Sequence, residues 1–276
     1  MTRQIRLVSI LRTFTMLILT VVLLFPVFWM VSTSLKPIMG IFSVPPHLIP
    51  QHFSLSGYRT ILNDSRWLHY FYNSYFIACS VTLLCLVVGT LAAYGFSRMK
   101  IGAKGPLLYA TLVMQMFPGV VLIVPYFELA KTLHLFNTYG VLIMADTSFV
   151  LPFTIWMLKS YLDSVPTEIE SAAMIDGCSR LQAITRVVVP LMAPSFVAVG
   201  TWAFLGAWNE YMFAVTLTTG WQRAPATVGL GEFFGEFGIN WNSVMATGTL
   251  SSIPLMIIFI FLQRYLVRGM TVGAVK

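Results

Sequence analysis

The sequence predicts an all-α membrane protein with six transmembrane helices, both termini on the cytoplasmic side, and a short cytoplasmic helix between the fourth and fifth spans. Three observations support this prediction. Of the 276 residues, 57% are hydrophobic and 10% are charged, whereas a soluble globular domain averages about 25% charged residues. Six apolar segments reach the length of about 20 residues that a transmembrane helix needs. The basic residues also divide unequally between alternate loops.

Apolar length defines the six predicted spans. They are residues 13–33, 73–96, 107–129, 140–162, 191–216 and 245–266. The first run is longer than the apolar core of a secretory signal, which has about 7–15 residues, and no small-residue cleavage pattern follows it. We therefore predict that this segment is retained as a helix. A polar segment at about 163–190 separates the fourth and fifth spans, and a polar tail follows at about 264–276.

The distribution of basic residues sets the orientation. If the N-terminus is cytoplasmic, five of the 17 Lys and Arg residues lie outside and the other twelve lie inside. The five outside are Lys36, Arg59, Arg66, Lys131 and Arg223. Cytoplasmic loops of membrane proteins carry an excess of Lys and Arg, so this division predicts an N-in, C-in topology. The net charge of +7 is explained in the same way, and no nucleic-acid partner is expected.

The sequence offers little catalytic chemistry. It contains no phosphate-binding loop of the form G-x-x-x-x-G-K-[ST], no H-E-x-x-H and no G-x-S-x-G. All four histidines lie outside the predicted spans. Three cysteines without a recurring spacing argue against a disulfide framework or a zinc site. We therefore predict a protein that is not an enzyme, with no catalytic or metal site and no cofactor bound by this chain.

Polar side chains inside the spans are few, and three of them are candidates to line a pathway: Gln115, Asn209 and Glu210. An acidic group at the bilayer centre costs about 2.5–3.5 kcal/mol on insertion scales, so such groups tend to face the bundle interior or water. Prolines in the third and fourth spans favour the same interpretation, because neighbouring helices or a wet cavity must satisfy the carbonyl that each one frees. The alternative is ordinary packing, with interhelical hydrogen bonds and simple kinks.

The segment that follows the fourth span predicts a short helix. Pro166 suits a first turn, and Glu168 and Glu170 suit the positive end of the helix dipole. Four residues recur at spacings of three and four and would share one face. They are Ile169, Ala172, Ala173 and Asp176. Gly177 favours a stop. The alternative interpretation is a solvated loop that re-enters the membrane.

This segment resembles the signature of the permease subunits of binding-protein-dependent ABC importers. The signature reads E-A-A, three residues, G, nine residues, then I-x-L-P. The matching positions are Ala172, Ala173, Gly177, Val187, Val189 and Pro190. One departure is Ser171, which replaces the signature glutamate and has a hydroxyl that forms hydrogen bonds but no ion pair. The resemblance implies that the helix couples the permease to an ATPase subunit. It assigns docking to Glu168, Glu170, Ser171, Ala172, Ala173, Asp176 and Gly177.

Two further stretches resemble the smaller, six-helix partner of the maltose-type permease pair. One is residues 204–213 (FLGAWNEYMF), and the other is the tail at 263–276 (QRYLVRGMTVGAVK). In that family the tail reaches toward the ATPases, which implies contacts from Gly269, Gly273 and Lys276. The resemblance covers nearly the whole chain and narrows the solute to a sugar or related carbohydrate.

The resemblance also implies a set of partners for a single permease domain spanning residues 1–276. They are a second permease subunit, an ATPase dimer that holds ATP and Mg, an extracytoplasmic solute-binding protein, and the lipids of a bacterial cytoplasmic membrane. The outer loops at about 36–72 and 219–244 would contact the binding protein. Two alternatives remain at this point. An ion-coupled secondary transporter would show inverted repeats together with discontinuous helices, and the sequence shows no clear repeat. A membrane-embedded enzyme would need catalytic groups.

Overall fold

The computed structural model of the chain describes the backbone of residues 2–235 and 238–272, and the side chains of residues 9–234 and 238–263. These residues are mainly helical, which confirms the all-α class. In chain order the α-helices are α1 (Thr2–Ser34), α2 (Ile38–Ile41), α3 (Ser56–Asn63), α4 (Ser65–Arg98), α5 (Lys104–Gln115), α6 (Ile123–Thr132), α7 (Tyr139–Asp163), α8 (Thr167–Ile175), α9 (Arg180–Ala183), α10 (Val189–Leu191), α11 (Ala193–Trp208), α12 (Met212–Leu217), α13 (Ala226–Gly229) and α14 (Trp241–Val272).

Three short helical segments and a minimal hairpin complete the described chain. Gly119–Leu122 and Leu230–Phe233 are 3₁₀-helical, and Ile184–Val188 is π-helical. Strands β1 (Phe234–Gly235) and β2 (Gly238–Ile239) pair antiparallel.

Four helical segments are long and apolar enough to cross a membrane without interruption: Ser9–Ser34, Ser65–Arg98, Tyr139–Asp163 and Trp241–Gln263. They confirm the first, second, fourth and sixth helices predicted from the sequence. The second begins at Ser65, eight residues before the predicted start at 73. Asp64 explains the early start, because its Oδ1 accepts a hydrogen bond from the backbone N–H of Arg66 at 2.9 Å. Such a bond satisfies one of the free donors of a first helical turn.

The predicted third and fifth spans are each broken into separate helices, which goes further than the proline kinks expected from the sequence. The axis of Lys104–Gln115 meets that of Gly119–Thr132 at 92°, and that of Arg180–Leu191 meets that of Ala193–Trp208 at 81°. Pro118 lies in the first break; it lacks an N–H donor and disfavours helical backbone in the residue before it. Among the described residues, the candidate spans number four, or six if each bent pair counts as one.

The chain forms two compact units. One contains the residues up to Trp67 together with Leu230–Met256. Within it, Asn242 is 2% exposed and joins three segments of chain. Its Nδ2 donates to the carbonyl oxygens of Ser34 at 3.0 Å and Lys36 at 2.7 Å, and its Oδ1 accepts from Ser56 Oγ at 3.1 Å. This side chain therefore fixes the starts of α3 and α14 against the end of α1.

The other unit contains Leu68–Gly229 together with the residues that follow Met256. Buried side chains of α4, α7, the π-helical segment and α11 form a core at one end of it. Its members are Ala93, Tyr94, Leu158, Leu162, Ile184, Val188, Met192 and Val199. Nearby, α4 and α7 approach so closely that a Cβ on Gly89 would lie 2.9 Å from Thr154 Cγ2. This packed end is the base on which α8 sits.

Candidate functional site

The short helix predicted after the fourth span is present as α8. It runs from Thr167 to Ile175, with Pro166 immediately before it and Glu168 and Glu170 in its first turn. Proline pre-sets the backbone angle for a helix start, and acidic side chains near that end interact favourably with the helix dipole. The structure therefore confirms the helix and its N-terminal signals.

Gly177 ends the helix, as predicted. Its backbone φ is +94°, an angle that residues other than glycine rarely adopt. The N–H of Gly177 donates to the carbonyl of Met174 at 3.1 Å, and the N–H of Cys178 donates to that of Ala173 at 3.0 Å. This pair of bonds is the Schellman arrangement, which satisfies carbonyls at a helix C-terminus. Gly177 thus acts through its backbone shape.

Most of α8 is exposed, including large apolar side chains. Ile175 is 86% exposed, Met174 40% and Ile169 38%. Of the predicted docking residues, Ala173 is half-buried, and five are exposed: Glu168, Ser171, Ala172, Asp176 and Gly177. The hydroxyl of Ser171 donates to the carbonyl of Thr167 at 3.1 Å, within the same helix. An exposed apolar surface of this kind is typical of a protein–protein contact.

Glu170 differs from the other predicted docking residues because it faces inward. Its Oε1 accepts a hydrogen bond from Arg98 Nε at 2.6 Å, and its Oε2 accepts one from Tyr94 Oη at 3.1 Å. The side chains of Arg98 and Glu170 are 12% and 6% exposed. The structure therefore gives Glu170 an intramolecular partner on the last turn of α4, not a place on the exposed surface of α8.

Arg98 also connects this ion pair to the end of α7. Its Nη2 donates to the carbonyl oxygens of Leu162 at 3.1 Å and Val165 at 2.6 Å. Leu162 and Tyr94 belong to the buried core beneath. One guanidinium thus fastens the C-terminal ends of α4 and α7 to the first turn of α8. We call Tyr94, Arg98 and Glu170 the anchor cluster.

The sequence contains a partial signal for this cluster. Glu170 and Ser171 differ by about 100° around a helix, so the two side chains cannot both face the same partner. Arg98, however, had been interpreted only as one of the basic residues that set the membrane orientation. Its pairing with Glu170 depends on a contact across 72 positions of sequence, which local spacing does not reveal.

Of the three predicted pathway residues, the structure brings two together. Gln115 and Glu210 line one cavity, together with Asp146 and aromatic side chains. Asn209 is not among its lining residues; its Nδ2 donates to the carbonyl of Leu205 at 2.8 Å. The predicted span at 191–216 is interrupted here, since α11 ends at Trp208 and α12 begins at Met212. The interruption places Glu210 between two helices.

The predicted tail contacts lie outside the part of the chain where side-chain surroundings are described. Gly269 falls within α14, beyond residue 263, where only the backbone is given. Gly273 and Lys276 lie outside the described residues. Their predicted contact with an ATPase stays a prediction.

The long apolar helices define a multi-pass membrane protein, and comparison with known proteins identifies which kind. The family described as binding-protein-dependent transport system inner membrane component matches residues 85–272. That range contains α8, its glycine cap and all three members of the anchor cluster. The chain belongs to this family, and it is a multi-pass protein of the cytoplasmic membrane.

Two relatives match along nearly their whole length. One is the inner membrane ABC transporter permease protein YcjP of Escherichia coli (strain K12), 33% identical over 258 residues, or 93% of this chain and 92% of that protein. The other is the trehalose/maltose transport system permease protein MalG of Thermococcus litoralis, 36% identical over 266 residues and 94% of each chain.

Solved structures establish the fold independently of close sequence identity. One chain of a bacterial ABC transporter involved in the import of the acidic polysaccharide alginate matches with a TM-score of 0.80. The two chains are 20% identical, and the match covers 95% of this chain and 97% of the other.

Proposed function

We propose that this chain is the pore-forming permease subunit of an ATP-driven ABC importer for a sugar or related carbohydrate. Its membership of the binding-protein-dependent family supports an importer subunit. The relative MalG is named for trehalose and maltose, which supports a carbohydrate solute here. Membership of this family also favours the importer over the ion-coupled transporter and the membrane enzyme that the sequence left open.

In the proposed assembly, each bent helix pair forms one span, which gives six spans with both termini in the cytoplasm. The unequal division of basic residues supports that orientation. The partners are a second permease subunit, an ATPase dimer that binds ATP and Mg, and an extracytoplasmic binding protein that meets the outer loops. In this proposal, the nucleotide sites and ATP hydrolysis belong to the partner subunits.

The observation that carries the proposal is the construction of α8, which has an exposed surface on one side and an anchor on the other. Its five exposed residues and the half-buried Ala173 would dock on the ATPase: Glu168, Ser171, Ala172, Ala173, Asp176 and Gly177. Glu170 would instead position the helix by holding it to Arg98. When the ATPases close on ATP, α8 would move with them and carry the ends of α4 and α7 along. That motion is a rigid-body form of alternating access.

The exposed apolar side chain at the end of α8 gives a direct test of docking. We expect Ile175→Glu to abolish most co-purification of the ATPase with the two permeases. A carboxylate would have to be buried without a partner in the interface, which is strongly unfavourable. The fold should be unaffected because Ile175 is 86% exposed. The measurement is the ratio of ATPase to permease in complexes purified by a tag on the permease.

The matched control is Met39→Glu, which introduces the same charge at another exposed apolar residue. Met39 lies in α2, on the predicted outer side of the membrane, and is 92% exposed. This variant should keep the full ratio of ATPase to permease. An Ile175→Glu complex that retains as much ATPase as the Met39→Glu complex would show that α8 is not the docking element.

A further inference from the structure

A cavity of about 360 Å³ lies where the third and fifth predicted spans are interrupted. Its size is within the range of about 300–1,000 Å³ that is usual for small-molecule sites. Phe117 and Met212, both exposed, lie among its lining residues, and so does Asp146, which is 4% exposed. The cavity therefore leads from the protein surface to a buried carboxyl group.

Both helix breaks shape this cavity. On one side α5 ends at Gln115, and the Gln115 side chain donates from Nε2 to the carbonyl of Phe149 on α7. On the other side, the Glu210 carboxylate accepts from the N–H groups of Phe213 at 2.8 Å and Ala214 at 3.0 Å. These bonds begin α12 and occupy both oxygens of Glu210. Gln115 and Glu210 thus already have partners that hold the cavity walls in place.

Asp146, unlike Gln115 and Glu210, does not hold the cavity wall through a hydrogen bond of its Oδ1. Its Oδ1 is buried, and among the described residues it has no hydrogen-bond partner. A buried polar atom is nearly always satisfied by protein, water or ligand. An acidic side chain within a membrane span normally faces a cavity and marks a functional site. Asp146 is one of the residues that line the cavity, and its carboxyl group keeps an acceptor that no described residue uses.

The rest of the lining is apolar and includes three aromatic rings. The rings of Phe149 and Phe213 lie 5.1 Å apart, and Phe117 also lines the cavity. A sugar ring has hydroxyl groups at its edge and apolar C–H bonds on its faces. Carboxyl oxygens accept hydrogen bonds from the hydroxyls, and aromatic rings pack against the C–H faces. A few polar groups in a largely apolar pocket are typical of such sites.

We propose that this cavity is a carbohydrate subsite on the transport pathway, in which the Asp146 carboxyl group accepts a hydrogen bond from a sugar hydroxyl while Phe149 and Phe213 pack against the ring. The proposal rests on the proposed function, since it requires that the importer carries a sugar. It adds Asp146 to the predicted pathway residues and assigns Gln115 and Glu210 to the support of the walls.

The test is sugar import by the complete transporter in liposomes, with ATP inside and binding protein outside. Labelled trehalose, maltose and diacetylchitobiose, the sugars for which two relatives are named, serve as probes. The measured quantity is solute imported per ATP hydrolysed. Asp146→Ala removes the acceptor, and we expect this ratio to fall about tenfold, as for loss of one hydrogen bond in a binding site. Asp146→Asn keeps an acceptor oxygen, and we expect it to restore most of the import.

Thr147→Ala is the matched control. Thr147 Oγ1 is also buried and without a hydrogen-bond partner among the described residues, but Thr147 is not among the residues that line the cavity. Its ratio should equal that of the unmodified transporter. Co-purification of all subunits, measured for each variant, separates a local effect from loss of assembly.

The outcomes distinguish the two proposals. If the unmodified transporter imports none of the probes, the proposed sugar function is wrong, and the subsite is wrong with it. If it imports a probe and Asp146→Ala imports as much per ATP, only the subsite is wrong. If Asp146→Asn is as defective as Asp146→Ala, the carboxyl group acts through its charge, as in a cation site, and the sugar subsite is also overturned.

Discussion

Replacing Glu170 with alanine is expected to destabilise the chain by about 3–5 kcal/mol, the usual cost of leaving one partner of a buried ion pair uncompensated. Arg98 would keep its hydrogen bonds to the carbonyls of Leu162 and Val165. It would lose Glu170, the only carboxylate of the described residues that lies within 4 Å of its guanidinium. We therefore expect a lower unfolding temperature for the purified permease pair, and loss of the ATPase stimulation that solute-loaded binding protein produces.

Glu168→Ala is the matched control, because Glu168 lies in the same turn of α8 but is exposed. It should change the unfolding temperature little, since exposed charges contribute about 0–1 kcal/mol. Glu170→Gln keeps the shape and some hydrogen bonding, so its unfolding temperature should lie between those of the unmodified chain and Glu170→Ala. If Glu170→Ala and Glu168→Ala unfold alike, the anchor cluster does not stabilise α8.

Replacing Gly177 with valine is expected to uncouple ATP hydrolysis from solute. A β-branched residue at φ +94° is strained, so the backbone should rotate and the two bonds that end α8 should break. A Cβ at this position would meet no described atom within 4 Å. The defect should therefore arise from the backbone and not from a clash inside the chain. The measurement is ATP hydrolysis with and without solute-loaded binding protein.

Gly177→Ala and Gly102→Ala separate strain from side-chain size. Gly102 also has no described atom within 4 Å of an added Cβ, and its φ is not in the positive range. Gly102→Ala should therefore retain full stimulation, whereas Gly177→Ala should lose part of it, because a non-glycine residue in left-handed backbone costs about 1–2 kcal/mol. Full stimulation in Gly177→Val would mean that the geometry of this helix end is not needed for coupling.

Local sequence was sufficient to predict α8 and most of the helices. The helix starts after Pro166 because proline restricts its own φ to a helical value, and it stops at Gly177 because glycine readily adopts a positive φ. Long apolar runs likewise require helices, because a membrane leaves backbone groups no other partner. These features are determined within a few residues of sequence, so no knowledge of the tertiary fold was needed.

The features that the sequence did not predict all depend on contacts between distant segments. Pro118 was recognised as a possible kink, but a bend of 92° depends on how α5 and α6 each pack against α7 and α12. The break at Asn209–Tyr211 contains no proline, and Glu210 satisfies the freed N–H groups across it. The burial of Asp146 likewise becomes visible only when α7 and α11 are packed together.

The most direct test of coupling through α8 is the distance between spin labels at Thr167→Cys on α8 and Met99→Cys just after α4. Both positions are exposed, and the three native cysteines would first be replaced. In the complete transporter, the distance should be the same without nucleotide and with ATP trapped by vanadate, and Glu170→Ala should broaden its distribution. A distance that changes on trapping while Glu170 and Arg98 are intact would contradict transmission from α8 to α4.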